Sequence, residues 1–285
     1  MRLLLRFLCS VLPLLLASAA NAQPSPLLEG EPPAWASLAR PLRLDVRPEG
    51  AQGLLAPVWT RDGLLAAPPV GLRGLARVAQ SGIPVWDPDS KAWYATAEGC
   101  LVRVEADGSL SVLFDGVQGV DVDVRANKGL AVSREPDGTI VLWRLNGEKK
   151  VLLSGMQYFR PRFSPDGSRL LVSESRAEGG HTWLVALDGK ATDLGQSIDA
   201  TWHPDGGSVV FVRVVHDGHS ILSSSLHQRD LATGRERTLS RALPTAALAP
   251  VVSPDGRFVA LRAAQDDAVL VAPLPRNGEA RGEGR

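Results

Sequence analysis

The sequence predicts an all-β fold, a ring of repeated four-stranded sheets, and three observations lead to this prediction. The chain has 285 residues, of which 44% are hydrophobic, so it can bury a full core. A Pro-Asp-Gly turn recurs at a spacing of about 40 residues, which is typical of propeller blades, whereas the helical ankyrin and tetratricopeptide arrays repeat at shorter periods. The segments beside these turns alternate in polarity or are rich in β-branched residues. We therefore predict a β-propeller with six blades, or with five as the alternative.

The N-terminus has the pattern of a cleavable signal peptide. Arg2 and Arg6 form a positive start, an apolar run covers residues 7–16, and Ala20 and Ala22 match the small residues of a cleavage site. We predict cleavage after Ala22 and a periplasmic or secreted location. Because the apolar run is short, we expect no transmembrane segment after the signal is removed.

The repeated turn is clearest at residues 163–167, 202–206 and 252–256. Weaker copies extend the series toward the N-terminus. The Asp of the turn, or Lys in the weakest copy, stands at positions 62, 89, 128, 166, 205 and 255, with spacings of 27, 39, 38, 39 and 50 residues. The short first spacing leaves little room for four strands, so the first blade is predicted to be incomplete.

Residues 159–195 illustrate the fold of one unit. In its turn, Pro165 presets φ, Asp166 caps the turn locally, and Gly167 accepts the left-handed conformation. A single sheet of this kind has two apolar faces, so it must stack on neighbours, and a closed ring protects its edges. The four strands are predicted over 160–164, 169–175, 181–187 and a short segment ending near Leu194.

Aromatic side chains stand three residues before the Asp of most turns. We interpret them as core between neighbouring blades and not as a binding platform. They are Trp59, Trp86, Phe163 and Trp202.

The two ends of the repeat region predict how the ring closes. The last unit shows only three strands, and residues 41–46 alternate like a strand ahead of the first turn. We predict that this N-terminal strand completes the last blade. The predicted organisation is a signal peptide at 1–22, an N-terminal extension with the closing strand at 23–50, the β-propeller at 51–274 and a disordered tail at 275–285.

The turns and the strands before them resemble the repeats of TolB-like β-propellers, a WD-repeat-like family. The shared features are the Ser-Pro-Asp-Gly turn and a Pro two residues before an aromatic, as in Pro161 and Phe163, Pro57 and Trp59, and Pro84 and Trp86. The resemblance covers about residues 51–274. It implies a periplasmic propeller that binds a protein, such as a peptidoglycan-associated lipoprotein, at one mouth of the ring. The family's translocation protein carries an α/β domain ahead of its propeller, and residues 23–50 are too few for one.

The sequence lacks the common signatures of catalytic chemistry. It contains no G-x-S-x-G, no H-E-x-x-H and no phosphate-binding P-loop motif. The 31 basic and 31 acidic residues balance, which disfavours a nucleic-acid partner. Cys100 is the only thiol after signal removal, so no disulfide framework is expected. We predict a protein without a cofactor or a metal site.

Candidate partner-binding residues are those predicted in the blade connectors and inter-strand loops on the side opposite the Pro-Asp-Gly turns. A Gln recurs shortly before several first strands; it either lines the mouth of the ring or satisfies backbone groups of the connectors. The candidates are Tyr158, Arg160, Asp199, His181, His216, Asp217, His219, Gln118, Gln157 and Gln196.

These observations favour an exported, non-catalytic and monomeric scaffold that binds a protein or cell-envelope component at one mouth of the ring. The alternative is a metal-dependent propeller hydrolase or lactonase with calcium in its channel. Such a site would need acids from several blades. Asp123 and Asp199 are the nearest candidates, and Arg160 and Arg162 stand between them, where they would oppose a cation.

Overall fold

The structure is a computed structural model, and it describes residues 58–60, 63–65, 85–87, 92–97, 99–104, 110–119, 121–155, 157–177, 179–217, 220–240, 246–263 and 269–275. Within these ranges the chain forms 21 β-strands and one 3-10 turn at Ala126–Lys128. The all-β prediction is therefore confirmed. The predicted signal peptide, closing strand and disordered tail lie outside the described residues, apart from residue 275.

The described strands form six sheets, numbered here in chain order. Sheet 1 contains β1 (Val58–Thr60) and β2 (Gly63–Leu65), and sheet 2 contains β3 (Val85–Asp87), β4 (Ala92–Ala97), β5 (Cys100–Val104) and β6 (Leu110–Asp115). Sheet 3 contains β7 (Asp121–Arg125), β8 (Leu130–Arg134), β9 (Ile140–Arg144) and β10 (Lys149–Leu153).

The C-terminal half continues the same pattern. Sheet 4 contains β11 (Tyr158–Phe163), β12 (Arg169–Arg176), β13 (Gly179–Ala186) and β14 (Ala191–Gln196). Sheet 5 contains β15 (Ile198–Trp202), β16 (Ser208–His216), β17 (Ile221–Asp230) and β18 (Glu236–Ser240), and sheet 6 contains β19 (Ala247–Val252), β20 (Phe258–Ala263) and β21 (Val269–Pro273).

Every sheet is an antiparallel meander in which each strand pairs with the next one along the chain. Sheets 2 to 5 have the four strands predicted for a blade. In sheet 4 the observed strands lie within a few residues of the predicted ones. Sheet 6 has three described strands and sheet 1 has two. The number of blades and the closure of the ring by residues 41–46 stay predictions.

The sheets stack in chain order, and the first strand of each sheet from 3 to 6 contacts the sheet before it. The strand β7 lies beside both β3 and β11, and β15 contacts β12 and β13 of sheet 4 on one side and β19 on the other. The strand β1 also contacts β19, so the first and last described sheets are neighbours.

The apolar core lies between successive sheets. In β12, Leu170 and Val172 pack toward sheet 3, whereas Leu171 packs toward sheet 5, because side chains alternate along a strand. Phe163 and Trp202 are buried in these two interfaces, so the prediction that turn aromatics form inter-blade core is confirmed for them. The side chains of the other two aromatics lie outside the described residues.

The Pro-Asp-Gly turns close as predicted. Gly167 has φ of 67° and donates its N–H to the Ser164 carbonyl at 2.8 Å, while the Ser164 hydroxyl contacts Asp166 at 2.5 Å. We call the end of the sheets that carries residues 165–167, 204–206 and 254–256 the turn side. The opposite end, where the strands β7, β11, β15 and β19 begin, is the loop side.

Candidate functional site

The first strands of three successive sheets are kinked close to the loop side. The pairing register shifts between Phe159 and Arg162 in β11, and at the matching positions of β15 and β19. At each kink one non-glycine residue adopts a positive φ, namely Arg160 at 50°, Asp199 at 54° and Ala249 at 51°. Such angles are uncommon for side-chain-bearing residues, and β-bulges of this kind re-aim side chains. The kinks place equivalent residues of three sheets at one end of the stack.

Polar links join these kinked residues across the sheets. The Asp121 carboxylate accepts a hydrogen bond from the Arg160 backbone N–H at 3.2 Å. The Arg160 guanidinium forms an ion pair with Asp199, and the second oxygen of Asp199 accepts the Ala249 N–H at 3.0 Å. A continuous series of contacts therefore runs from sheet 3 through sheets 4 and 5 to sheet 6.

Two further charged residues stand next to this series. The Asp123 carboxylate accepts hydrogen bonds from the backbone N–H groups of Val124 at 2.9 Å and Phe163 at 2.7 Å. Arg162 donates to the backbone carbonyl oxygens of Val122 at 3.2 Å and Pro161 at 2.8 Å. Each of these two side chains therefore makes one hydrogen bond between β7 and β11 and one within its own strand.

Arg262 completes the group, which we call the inner-strand cluster: Asp121, Asp123, Arg160, Arg162, Asp199 and Arg262. Arg262 lies on β20 opposite Leu248, the residue before Ala249, and is 7% exposed. The side chain of Asp199 is 6% exposed, whereas that of Arg160 is 32% exposed. Asp199 and Arg262 are therefore buried, whereas Arg160 and Arg162 are partly exposed.

Burial and the neighbouring charges of the inner-strand cluster both act on the pKa of Arg160. Burial, with contributions from the charges of Arg162 and Arg262, lowers the pKa of the Arg160 guanidinium, although the nearby Asp121 acts in the opposite direction. Arg160 remains charged, since even a lowered arginine pKa stays above neutral pH.

A second polar network lies on the loop side of sheet 4. Glu174, which is buried, accepts from Arg176 at 2.6 Å and from the Trp183 indole N–H at 2.9 Å. His181 Nδ1 lies 3.1 Å from Asp193 and 3.0 Å from Arg176. Burial raises the pKa of Asp193, but hydrogen bonds from the Gly195 N–H and from His181 outweigh it and lower that pKa overall. This network fixes the ends of β12, β13 and β14.

Only part of the predicted set of binding residues lies on the surface of the described chain. The structure places Tyr158 in the core between sheets 3 and 4 at 8% exposure, where burial and the Glu174 carboxylate raise its pKa. Five candidates lie within strands, namely Tyr158, Arg160, His181, Gln196 and Asp199. Arg160 and His181 fall inside the predicted strands 160–164 and 181–187, whereas Tyr158 and Gln196 are included because β11 begins earlier and β14 ends later than predicted. The exposed candidates are Gln118, Gln157, Gln196, His216 and Asp217, and His219 lies outside the described residues.

The structure brings together Arg160 and Asp199, which the sequence indicated separately. It leaves His216 and Asp217 apart from them, at the tip of the long β16–β17 hairpin. Asp121 and Arg262 also belong to the cluster, and neither was among the residues predicted from the sequence. The repeat contained one signal, since Asp121, Arg160 and Asp199 follow one another at intervals of 39 residues.

The residues considered for a metal site are engaged with protein groups. Asp123 accepts two backbone N–H groups, and Asp199 binds Arg160 and the Ala249 N–H. Among the described residues, no group of three or more His, Cys, Asp or Glu side chains is arranged to hold a metal ion. The same part of the chain contains no helix of the length and apolarity needed to cross a membrane.

The fold is similar to several solved structures at low sequence identity. A nidogen/laminin complex gives a TM-score of 0.52 at 14% identity, with 68% of this chain and 77% of that chain covered. TolB from Acinetobacter baumannii gives a TM-score of 0.48 at 18% identity, with 67% of this chain and 53% of that chain covered. An oligogalacturonate lyase in complex with manganese gives 0.48 at 18% identity, covering 66% of this chain and 60% of the lyase.

No protein-family model matches the chain, and no curated protein matches its sequence. The chain spans about half of the TolB structure and less than two thirds of the lyase structure. The structural neighbours include TolB-like propellers, the family that the repeats resemble. At these identities the likeness concerns the fold: the described residues form antiparallel sheets, most of them four-stranded, and the structural neighbours are propeller-like.

Proposed function

We propose that the protein is an exported, non-catalytic scaffold that binds a protein or cell-envelope component at the loop side of its sheets. The observation that carries this proposal is the inner-strand cluster, in which Arg160, Asp199 and Asp121 connect four successive sheets. Side chains held by mutual bonds form a fixed surface, and binding to a fixed surface costs little conformational entropy.

The exposed side chains around this cluster suit a binding role. Gln118, Gln157 and Gln196 are exposed and stand just before or at the end of strands on the loop side. Amide side chains both donate and accept hydrogen bonds, so they fit the polar rim of a protein interface. The N-terminal signal pattern supports an exported location, in which such a partner would belong to the cell envelope or its surroundings.

The internal use of the carboxylates favours binding over metal-dependent hydrolysis. A calcium site needs several oxygen ligands directed at one point. Asp199 is instead neutralised by Arg160, and the oxygens of Asp123 accept backbone N–H groups. A bound cation would have to displace the arginine and compete with the neighbouring guanidinium of Arg162.

Site-specific photo-crosslinking in intact cells tests the proposal. A photoreactive amino acid is placed in turn at Gln118, Gln157 and Gln196. Matched controls carry it at Ser168, Lys190 and Thr233, which are exposed on the turn side. We expect a discrete adduct from the loop-side positions and none from the controls.

Adducts of equal yield from both sides, or from the turn side alone, would contradict the proposal. Elemental analysis of the purified mature protein provides an independent check. Stoichiometric calcium that is lost in an Asp199→Ala variant would favour the hydrolase alternative. N-terminal sequencing of the exported protein is expected to begin at Gln23.

A further inference from the structure

The hairpin of β16 and β17 extends beyond the other strands of sheet 5 at the loop side. The strand β16 pairs with β17 as far as His216, whereas β15 pairs with β16 only as far as Val212. On the other flank, β18 pairs with β17 only as far as Leu226. Residues 213–216 and 221–225 therefore lie beyond both flanking strands.

The corresponding hairpins of sheets 3 and 4 are paired almost to their ends. In sheet 4, β11 pairs with β12 as far as Glu174, and the next N–H, that of Ser175, donates to the Gln157 carbonyl at 3.1 Å. In sheet 3, β7 pairs with β8 as far as Arg134, the last residue of that strand. The extended hairpin is therefore a property of sheet 5 and not of the repeat.

The inner edge of the extended part of β16 offers unpaired backbone groups. Backbone groups alternate between the two edges of a strand, and the Ser208 carbonyl accepts the His203 N–H on the side of β15. The backbone groups of Val214 and His216 therefore point to the same side, where no strand of the described chain pairs with them. Val214 is partly exposed and His216 is exposed. We call residues 214–216 the free edge.

The free edge lacks the features that usually prevent pairing with another chain. Exposed strand edges are commonly protected by a lysine, a proline or a bulge. Here Val214 and Val215 occupy the edge, and the Arg213 guanidinium donates to Glu236 at 2.8 Å within the sheet. The bulge of the hairpin lies on β17 at Leu222, so β16 itself stays regular. The free edge can therefore accept an additional strand.

Apolar side chains lie on both faces of the sheet at the free edge. Val214 packs beside Leu248 against the core between sheets 5 and 6. Val215 points to the opposite face, because side chains alternate along a strand, and it is 59% exposed. Leu222, on the neighbouring strand, is 61% exposed. A strand added here would find apolar neighbours for its side chains on either face.

We propose that the free edge binds an extended segment of a polypeptide partner, which adds as a further strand beside β16. This inference rests on the proposed function, since the hairpin belongs to the loop side. Regularly spaced N–H and C=O groups are matched by another extended backbone, and the valines select apolar side chains in it. Three residues bury too little area to join two folded copies of this chain, which needs about 1,000 Å², whereas an extended segment can continue along the loop side.

The test is amide hydrogen exchange, measured by NMR on the nitrogen-15-labelled mature protein. In the free protein we expect the amides of Val214 and His216 to exchange at least about tenfold faster than that of Val215, which faces β17. The probe is the acetylated and amidated heptapeptide Lys-Thr-Val-Thr-Val-Thr-Lys. At about 2 mM peptide we expect the exchange of both edge amides to slow about threefold, which corresponds to a Kd of about 1 mM.

A modified peptide and variants assign the binding to the free edge. The same peptide with every backbone nitrogen between its two lysines methylated cannot donate hydrogen bonds and should leave both amides unchanged. Val214→Pro removes an N–H that has no partner in the described chain, and it should weaken binding at least about fivefold, as reported by the His216 amide. If this variant fails thermal unfolding as a folding check, His216→Pro replaces it, with the Val214 amide as reporter.

Side-chain variants provide a matched pair. Val215→Thr removes an apolar contact at the free edge and should weaken peptide binding about twofold. Val151→Thr makes the same change at an exposed valine of β10, in sheet 3, and should leave the affinity unchanged.

The proposal is overturned if the Val214 and His216 amides exchange as slowly as that of Val215 in the free protein, or if the peptide slows neither. It is also overturned if the methylated peptide protects them equally, or if Val214→Pro binds like the wild type. A dimer in sedimentation that Val214→Pro dissociates would assign the edge to a second copy instead. If the loop-side photo-crosslinks persist while the peptide protects neither amide, the proposed function stands and this inference falls.

Discussion

The turn side and the loop side of the sheets are stabilised in different ways. On the turn side, the Ser164 hydroxyl contacts Asp166, two residues away, and accepts the N–H of Arg169, five residues away. On the loop side, Arg160 meets Asp199 across 39 residues, and Asp199 meets Ala249 across 50. The first pattern is local and repeats in other sheets. The turn side also has bonds between sheets, such as those from Arg169 to the Gly206 carbonyl and between His203 and the Gly256 carbonyl, but these use backbone oxygens. On the loop side, by contrast, Arg160 and Asp199 join two sheets through an ion pair of side chains.

This difference explains which end of the molecule supports a specific function. Local hydrogen bonds within a turn can be repeated in every sheet without reference to neighbours. An ion pair between adjacent sheets requires particular side chains on both of them, so the pair of Arg160 and Asp199 gives the loop side an individual surface. We expect substitutions on the loop side to have larger and less uniform effects than those on the turn side.

The largest expected effect is that of Asp199→Ala. The change leaves the Arg160 guanidinium without its carboxylate and the Ala249 N–H without its acceptor, and we expect a loss of about 3 kcal/mol in the free energy of unfolding. Asp199→Asn keeps an acceptor for the N–H and should cost about 1–2 kcal/mol. Urea denaturation measures both. A loss below about 1 kcal/mol for the alanine variant would show that the ion pair does not hold the sheets together.

Two equivalent turn-side substitutions should have nearly equal, smaller effects. Ser164→Ala and Ser253→Ala each remove a buried hydroxyl that contacts the turn Asp at 2.5 Å and accepts a backbone N–H. We expect a loss of about 1–2 kcal/mol for each in urea denaturation. The exposed Ser154→Ala serves as the control, with less than about 0.5 kcal/mol. Effects that differ by more than about twofold between the two turns would break the view of the turn side as repeated and local.

A glycine substitution on the loop side should raise stability. Ala249 has φ of 51°, a conformation that costs a side-chain-bearing residue about 1–2 kcal/mol. Ala249→Gly removes this cost but adds backbone freedom to the unfolded chain, so we expect a net gain of about 0.5 kcal/mol. The matched change Ala247→Gly, on the same strand without positive φ, should cost about 1 kcal/mol. Destabilisation by both variants would argue against strain at the kink.

The smallest expected effect is a change in the pH dependence of stability on the turn side. Hydrogen bonds from Ser164 and Ser168 hold the pKa of Asp166 well below its ordinary value of 3.8, and a hydrogen bond from Ser253 lowers the pKa of Asp255. The unfolded chain therefore takes up protons first, so this stabilisation is complete above about pH 5 and is lost as the pH falls below 4.

Replacing both aspartates tests this assignment. Asp166→Asn combined with Asp255→Asn should flatten the decrease of the urea midpoint between pH 5 and pH 2. Asp188→Asn tests whether any turn aspartate has the same effect, since hydrogen bonds from Lys190 and the charges of Lys190 and Lys150 lower the Asp188 pKa without a serine partner. An unchanged pH profile in the double variant would assign the acid sensitivity to carboxylates elsewhere.

The sequence was sufficient to predict the sheets and the turn side. The strands of sheet 4 were predicted within a few residues, because Pro165 and Gly167 mark the turn and the apolar segments alternate. The burial of Phe163 and Trp202 followed from their repeated position, since each sheet has a second apolar face to cover.

The loop side could be predicted only in part. Arg160 and Asp199 were among the candidates, but their pairing depends on bulges that turn both residues into a positive φ. No local sequence pattern specifies such a bulge at an arginine or an aspartate. Tyr158 was expected near the surface; the start of β11 at this residue carries its ring into the core instead.

The stacking order of the sheets determines where local unfolding is expected to begin. Sheet 4 shares its two apolar faces with sheets 3 and 5, so the free energy that protects its amides comes largely from those two interfaces. Weakening one interface should raise amide hydrogen exchange first in the two sheets that form it, and only later in sheets further along the chain. A partner bound across Arg160 and Asp199 would act as a clamp on several interfaces at once, slowing exchange in sheets that it never touches.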